Sequence, residues 1–333
     1  MHLLSSAHQP LTPQRRNMLL LGLVLLAIGA SLLSLCVGST AYRPWQLLQQ
    51  DLDGQIARDV VLSLRLPRTL AALTVGGLLA VAGALQQILL RNPLADPYIL
   101  GTSGGASVGA LLAMLLGAGV GLVNLSAALG AFIAMLLVFV LSGTRASTAQ
   151  LLLTGVAVSS FCGAFSSLLL SLAPDGLLRG MIFWMLGDLS GATWHWSAAG
   201  LVLVLLLVWP LLRDLNMLAL GQQRAFALGV STQQLSLMLY AFAAVATALA
   251  VTTAGMIGFV GLIVPHALRL LIGQDQRVLI PASALTGGIV LLLADVLSRL
   301  VIAPEQLPVG VVTALLGAPL FVWLLSQRRG AGT

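Results

Sequence analysis

The stretch Met18–Gly38, MLLLGLVLLAIGASLLSLCVG, is an apolar run without a charged residue. A helix needs about 20 apolar residues to cross the hydrocarbon core of a bilayer, and this run is long enough. No small-residue cleavage site follows it, so we interpret it as a retained membrane span and not as a signal peptide. Because lipid offers no partners to free backbone groups, the span must be helical.

Eight more runs of similar length and one shorter run follow. The long runs are 66–89, 97–117, 121–142, 148–172, 194–212, 233–256, 278–302 and 308–326, and the short one is 259–272. Hydrophobic residues make up 59% of the 333 residues and charged residues 8%, whereas a soluble domain is about 25% charged. The sequence therefore predicts an all-α, polytopic membrane protein with about ten transmembrane helices. We expect one transmembrane domain at 18–326 between cytoplasmic tails at 1–17 and 327–333.

The distribution of arginines predicts the orientation. Ten spans place both termini on one side of the membrane. If that side is the cytoplasm, the inner segments hold Arg15, Arg16, Arg91, Arg145, Arg213, Arg224, Arg269, Arg277, Arg328 and Arg329, and the outer segments hold Arg43, Arg58, Arg65, Arg68, Arg179 and Arg299. Since cytoplasmic loops carry the excess of basic residues, this distribution favours cytoplasmic termini.

The absence of lysine excludes several functions. All 16 basic residues are arginine, whereas a Walker A phosphate loop needs a lysine and so does Schiff-base chemistry. We therefore predict that the chain is not an enzyme and holds no cofactor or metal. Any ATP, with its Mg, must be bound and hydrolysed by another polypeptide. The two cysteines, Cys36 and Cys162, lie in apolar runs and are expected to be small buried hydrophobes.

Charged residues at the start of one span and inside another are candidate functional groups. Arg65 and Arg68 lie three apart, on one helical face. They oppose the macrodipole at a helix N-terminus, so they either anchor the interface by snorkelling or dock an acidic partner. Asp295 and Arg299 are four apart and can pair, although charges at membrane depth are also functional candidates. His266, after Pro265, is interpreted as a packing residue in preference to a ligand.

The longest cytoplasmic loop, 213–232, contains a candidate partner-binding helix. Residues 222–228 permit a helix, and Gly229 is a usual C-terminal stop. Ala225 and Leu228 place apolar side chains three apart, while Arg224 alone supplies positive charge. Because a single arginine supports headgroup binding only weakly, a protein partner is favoured. We call residues 213–232 the coupling segment.

Six stretches, in order, carry a resemblance to a known family. They are Arg65-Leu-Pro-Arg68, Asn92-Pro-Leu-Ala-Asp-Pro97, Leu100-Gly-Thr-Ser-Gly-Gly105, Asn216-Met-Leu-Ala-Leu-Gly221, Gly258-Phe-Val-Gly-Leu-Ile-Val-Pro-His266 and Leu307-Pro-Val-Gly-Val-Val-Thr313. The chain resembles the iron-chelate and cobalamin permeases of bacterial type II ABC importers, over roughly residues 18 to 326.

The resemblance implies a fold, a function and partners. The fold is the type II ABC importer permease fold. Two copies would form a homodimer in the inner membrane, two ATPase subunits would bind its cytoplasmic face, and a periplasmic binding protein would deliver a large metal chelate. The cargo would be cobalamin, haem or a ferric siderophore, with a slight preference for cobalamin. Nucleic acid is not expected as a partner.

The resemblance also implies roles for individual residues. Arg65, Arg68 and Arg299 match arginines that meet acidic residues of the binding protein. The ATPase would contact Leu215, Asn216, Met217, Leu218, Ala219, Leu220, Gly221, Gln222, Arg224, Ala225, Leu228 and Gly229. A cytoplasmic gate would consist of Asn92, Leu94, Ser147 and Thr148. Many relatives have an acidic residue at the position of Gln222, so one contact to the ATPase is in doubt.

Two other function classes are weighed against this one. Gly101-Thr-Ser-Gly104 fits the motif of rhomboid proteases, in which Ser103 would be the nucleophile and His266 the base. A secondary transporter driven by protons or sodium normally needs intramembrane carboxylates or broken helices, and Asp295 is the one plausible carboxylate.

Overall fold

The computed structural model describes residues 12–38, 51–143 and 148–329, apart from the side chains of residues 148, 325 and 327–329. The helices are α1 (Pro13–Cys36), α2 (Leu52–Asp59), α3 (Leu66–Leu89), α4 (Thr102–Leu115), α5 (Val120–Ser142), α6 (Thr148–Ser171), α7 (Asp175–Leu186), α8 (His195–Val208), α9 (Leu212–Ala219), α10 (Gln222–Ala227), α11 (Thr232–Ala254), α12 (Val260–Ile272), α13 (Gln276–Leu300) and α14 (Val309–Arg329). A π-helical turn, Val60–Arg65, joins α2 to α3, and a 3-10 turn, Trp209–Leu211, joins α8 to α9.

The predicted spans correspond one to one with apolar helices. Among the described residues, seven helical segments are long and apolar enough to cross a membrane, and α4, α12 and Val309–Leu324 of α14 are shorter apolar helices. Together they match the nine long runs and the short run read from the sequence. The predicted all-α membrane fold with about ten spans is confirmed.

Helices α2, α7 and α9 lie in stretches for which the sequence analysis predicted no helix, and α4 begins later than predicted. α2 and the π-turn extend the second span into one helical stretch, Leu52–Leu89, of 38 residues. α7, of 12 residues, lies between two predicted spans and is too short to cross a bilayer. α4 begins at Thr102, later than the predicted start at residue 97, because the chain turns through Gly101 with a left-handed φ of 80°.

α3 is the central helix of the bundle. It packs against α13, α11, α12 and α8, and its side chains from Val75 to Ile88 are buried. Glycines permit these close approaches: a Cβ added at Gly76 would collide with the carbonyl of Gly287 on α13, and one at Gly83 with that of Gly261 on α12. Small residues allow transmembrane helices to approach in this way.

Candidate functional site

A buried ionic cluster lies where α3 begins and α13 ends. Arg68 Nε donates to Asp295 Oδ1 at 2.8 Å, and Arg299 Nε lies 3.1 Å from Asp295 Oδ2. The Asp295 side chain is fully buried, so both guanidinium groups serve it as counter-ions. Asp295 therefore pairs with Arg299, which the spacing on α13 allowed, and also with Arg68, which no local pattern indicated. We call Arg65, Arg68, Asp295 and Arg299 the arginine cluster.

Hydrogen bonds tie the arginine cluster to the C-terminal end of α1. Arg299 donates to Ser34 Oγ at 2.8 Å and to the carbonyls of Ser34 and Val37 at 3.3 and 3.2 Å. Arg65 donates to the carbonyl of Leu35 at 2.8 Å. The arginines thus satisfy backbone carbonyls at the end of α1, which a helix terminus leaves without intrahelical partners.

The three arginines border a cavity of about 520 Å³. The loop Ser190–Trp194 forms one of its walls, and Arg68 donates to Gln306 Oε1 at 2.6 Å at its edge. Arg68 Nη2 is buried without a hydrogen-bond partner among the described residues. The arginines are only 5–9% exposed, so they face this cavity and do not project freely. The cavity is therefore lined by positive charge, which would attract an acidic group.

The coupling segment divides into an inward face and an outward face. Leu215, Leu218 and Ala225 are buried in the main core. Ala219, Leu220, Gln222, Arg224, Leu228 and Gly229 are exposed. Gly221 connects α9 to α10 with a φ of 114°, which an L side chain rarely adopts. The two apolar residues noted in the sequence are thus separated, since Ala225 packs inward and Leu228 points away.

Phe226 is a candidate contact that the sequence analysis missed. Its side chain is 73% exposed, and Leu220 and Leu228 nearby in sequence are 59% and 60% exposed. The signal was available, since an aromatic residue in a polar loop is a common anchor of protein interfaces. It was overlooked because the three-residue spacing pointed to Ala225.

Asn216 is directed into the bundle. Its Nδ2 donates to Asp275 Oδ1 at 2.8 Å, and the backbone N–H of Gln276 donates to its Oδ1 at 2.8 Å. Asp275 is the N-cap of α13 and also accepts from Arg277 N. Both functional groups of the Asn216 side chain therefore bind the first turn of α13.

Half of the predicted gate is described. Asn92 Oδ1 accepts from Leu94 N at 3.0 Å, and the Asn92 carbonyl accepts from Ala95 N at 3.1 Å. These bonds fix the turn after α3, and both Asn92 and Leu94 are half-buried. Ser147 and the Thr148 side chain lie outside the described residues, so the gate stays a prediction.

The two residues of the protease alternative lie on helices with different surroundings. Ser103 is in the first turn of α4, which packs mainly on α5 and α6. His266 is buried on α12, which packs on α3, α13 and α14. The carbonyl of Ser103 accepts from Ser107 Oγ within its own helix. The arrangement gives the protease reading no support.

Comparisons with known proteins agree with the fold. The vitamin B12 import system permease protein BtuC of Salmonella typhi is 43% identical over 318 residues, covering 94% of this chain and 96% of the relative. The same protein of Salmonella typhimurium gives the same values. A solved structure, described as an inward-facing conformation of a metal-chelate type ABC transporter, superposes with a TM-score of 0.84 at 32% identity, covering 93% of this chain and 99% of its own.

A more distant structure supports the fold alone. PsaBC from Streptococcus pneumoniae in complex with Fab superposes with a TM-score of 0.56 at 19% identity, over 77% of this chain and 88% of its own. The family model of the FecCD transport family matches residues 24–327. That match covers most of the predicted transmembrane domain and agrees with the resemblance carried by the six sequence stretches. The chain belongs to the FecCD transport family.

Proposed function

We propose that this chain is the permease subunit of an ABC importer that moves cobalamin from the periplasm to the cytoplasm. The observation that carries the proposal is identity of 43% to vitamin B12 import permeases over 94% of the chain. Identity at this level over nearly the whole length indicates a shared fold and shared helix packing. The slight preference for cobalamin among the three chelates agrees with these relatives.

The proposal includes the other subunits of the importer. Two copies of the chain form a homodimer, a separate ATPase binds the coupling segment, and a periplasmic binding protein docks at the arginine cluster. The exposed apolar residues Leu220, Phe226 and Leu228 support the contact between the ATPase and the coupling segment. The three arginines that border the cavity support docking of the binding protein. ATP is hydrolysed by the partner, and this chain supplies the path and the conformational change.

The orientation follows from these assignments. The chain is a multi-pass protein of the bacterial inner membrane with both termini in the cytoplasm. The coupling segment then faces the cytoplasm, and the arginine cluster faces the periplasm. These two surfaces lie at opposite ends of α13, as an importer driven from one face and supplied from the other requires.

Transport in a defined system tests the function. The chain is co-reconstituted with its ATPase in liposomes, the binding protein is added, and uptake of cobalamin, haem and a ferric hydroxamate is measured side by side. We expect ATP-dependent uptake of cobalamin alone, which stops when the ATPase carries a substitution of its Walker A lysine. Uptake of haem or the hydroxamate instead would refute the cargo. Uptake that survives without ATP and collapses with an uncoupler would establish a secondary transporter.

A substitution in the arginine cluster tests the docking surface separately. Arg65→Gln is preferred to a change at Arg68, because Arg68 also neutralises Asp295. We expect it to weaken binding of the periplasmic protein about tenfold, as for one charged contact of about 1.4 kcal/mol. Arg179→Gln, at an exposed arginine of α7, is the matched control and should leave the affinity unchanged. Equal affinity in both variants would remove Arg65 from the docking surface.

A further inference from the structure

α13 connects the two surfaces that the proposed function assigns to different partners. It runs for 25 residues, Gln276–Leu300, after its N-cap Asp275, which corresponds to about 37 Å at 1.5 Å per residue. Asp295 and Arg299 lie in its last turns, and its first turn binds Asn216 of the coupling segment. One helix therefore touches both ends of the predicted transport machinery.

At the N-terminal end of α13, the Asn216 side chain supplies a hydrogen-bond partner that the helix backbone lacks. Gln276 N–H is one of the donors that a helix N-terminus leaves free, and Asn216 Oδ1 accepts from it. Asn216 Nδ2 donates in turn to the capping carboxylate of Asp275. The Gln276 residue is 1% exposed, whereas Asn216 and Asp275 are half-buried, so these bonds are partly shielded from water. Leu215 and Leu218 of α9 are buried in the same core as Leu279 of α13.

The middle of α13 resists sliding against α3. A Cβ at Gly287 would collide with the Gly76 carbonyl, and one at Gly288 would lie 2.6 Å from the Leu73 carbonyl. The two backbones are thus in direct contact. Packed interfaces of this kind do not deform continuously, so α3 and α13 form one rigid body.

At the C-terminal end of α13, the arginine cluster joins this helix to α3 and α1. Asp295 of α13 accepts from Arg68 of α3 at 2.8 Å. Arg299 of α13 donates to Ser34 of α1 at 2.8 Å. Movement of α3 and α13 as one body therefore displaces Arg68 and Arg299 together, and with them the walls of the cavity.

We infer that Asn216 is a positioning residue that fastens the coupling segment to the rigid body of α3 and α13, so that displacement of α9 by the ATPase reaches the arginine cluster. This inference rests on the proposed function. Asn216 then acts inside the permease, and the ATPase contact belongs to the exposed face of the segment. The coupling is reciprocal, because docking at the arginine cluster must bias α9 by the same free energy.

A charge exchange between Asn216 and Asp275 tests the inference. Asn216→Asp places a second carboxylate beside Asp275 and removes the donor Nδ2. Adding Asp275→Asn restores a donor on the opposite side, while the carboxylate at position 216 still accepts from Gln276 N–H. Asp275→Asn alone keeps an acceptor for Asn216 and is the matched control.

The measurement is ATP hydrolysis in nanodiscs that contain the permease and its ATPase, with and without the binding protein. The ratio of the two rates measures how strongly docking of the binding protein stimulates the ATPase. It does not depend on the basal rate. We expect Asn216→Asp to lower this ratio at least about fivefold, which is the low end of allosteric coupling. The double variant should restore the ratio, and Asp275→Asn alone should stay near wild type.

The possible failures are distinguishable. A normal ratio in Asn216→Asp, with wild-type stimulation intact, would overturn the inference and leave the proposed function standing. Loss of the ratio without rescue in the double variant would also overturn it. An absence of stimulation in the wild type would overturn the proposed function on which the inference rests. If Asn216→Asp does not assemble, Asn216→Ala removes both hydrogen bonds without adding charge and carries the same expectation.

Discussion

Replacing Asp295 by asparagine should strongly destabilise the permease. Asp295 is fully buried, and its two partners Arg68 and Arg299 are themselves 10% and 6% exposed at the side chain. The amide can still accept a hydrogen bond from Arg68 Nε. What is lost is the one negative charge between two buried guanidinium groups.

The size of the effect follows from that geometry. Removing one partner of a buried ion pair costs about 3–5 kcal/mol, because the other charge is left uncompensated. Here two cations are left, at 2.8 and 3.1 Å from the lost charge, so we expect at least about 3 kcal/mol. Arg68→Gln in the same chain removes one of these cations. The double variant should therefore be more stable than the sum of the single changes predicts, with a coupling of about 1–3 kcal/mol.

Unfolding in mixed micelles measures these free energies. The purified permease is titrated with sodium dodecyl sulfate in a mild detergent and followed by circular dichroism. Asp175→Asn, at an exposed carboxylate in the first turn of α7, is the control and should change stability by less than about 1 kcal/mol. A loss below about 1 kcal/mol for Asp295→Asn would refute the reasoning. So would strict additivity with Arg68→Gln.

Three further predictions address packing, pH and the coupling segment. Gly76→Ala should lower the free energy of unfolding by about 1–3 kcal/mol through overpacking, whereas Gly163→Ala, with open space around it, should not lower it; the same unfolding titration compares them. Burial raises the pKa of Asp96, in the turn after α3, to about 6 from 3.8. The native state therefore binds more protons than the unfolded state between these values, and stability falls as pH rises through 6. Asp96→Asn should flatten this dependence in thermal unfolding at pH 5 and 7.5, and an unchanged slope would contradict the assignment. Phe226→Ala should reduce co-purification of the ATPase about tenfold, as for loss of an interface anchor; Leu237→Ala, at a similarly exposed apolar position of α11, should not.

The sequence predicted the spans well because hydropathy over about 20 residues is a local property. Each apolar run contains one apolar helix, and the short run at α12 was recognised as short, whereas the shortness of α4 was not. The sequence did not predict α7, whose Asp175 and Arg179 interrupt the apolar pattern in its first two turns. It also did not predict the helical extension before α3. That stretch is polar, so its apolar residues show no clear helical periodicity.

The candidate site was predicted in part, and the limits have a physical cause. The i, i+4 spacing suggested that Asp295 can meet Arg299, but Arg68 is 227 residues away in the chain from Asp295. No local rule reports such a contact, since it depends on how α3 crosses α13. The same holds for Asn216, whose partner at Asp275 lies 59 residues further on. The docking and coupling roles are predictions that the variants at Arg65, Phe226 and Asn216 test, and the gate stays a prediction.

The π-helical turn at Val60–Arg65 has a consequence for how the chain tolerates changes in length. In a π-helical turn the hydrogen bonds skip one residue more than in an α-helix, so the turn stores surplus chain inside a continuous helix. Deleting one residue there removes that surplus and lets the turn close as an ordinary α-helix, so α2 keeps its rotation about the helix axis. α3 keeps its place, because Gly76 and Gly83 fix it against α13 and α12. The turn is thus a position at which the chain can lose one residue while the exposed face of Leu52 and Ile56 keeps its direction and the bundle keeps its packing.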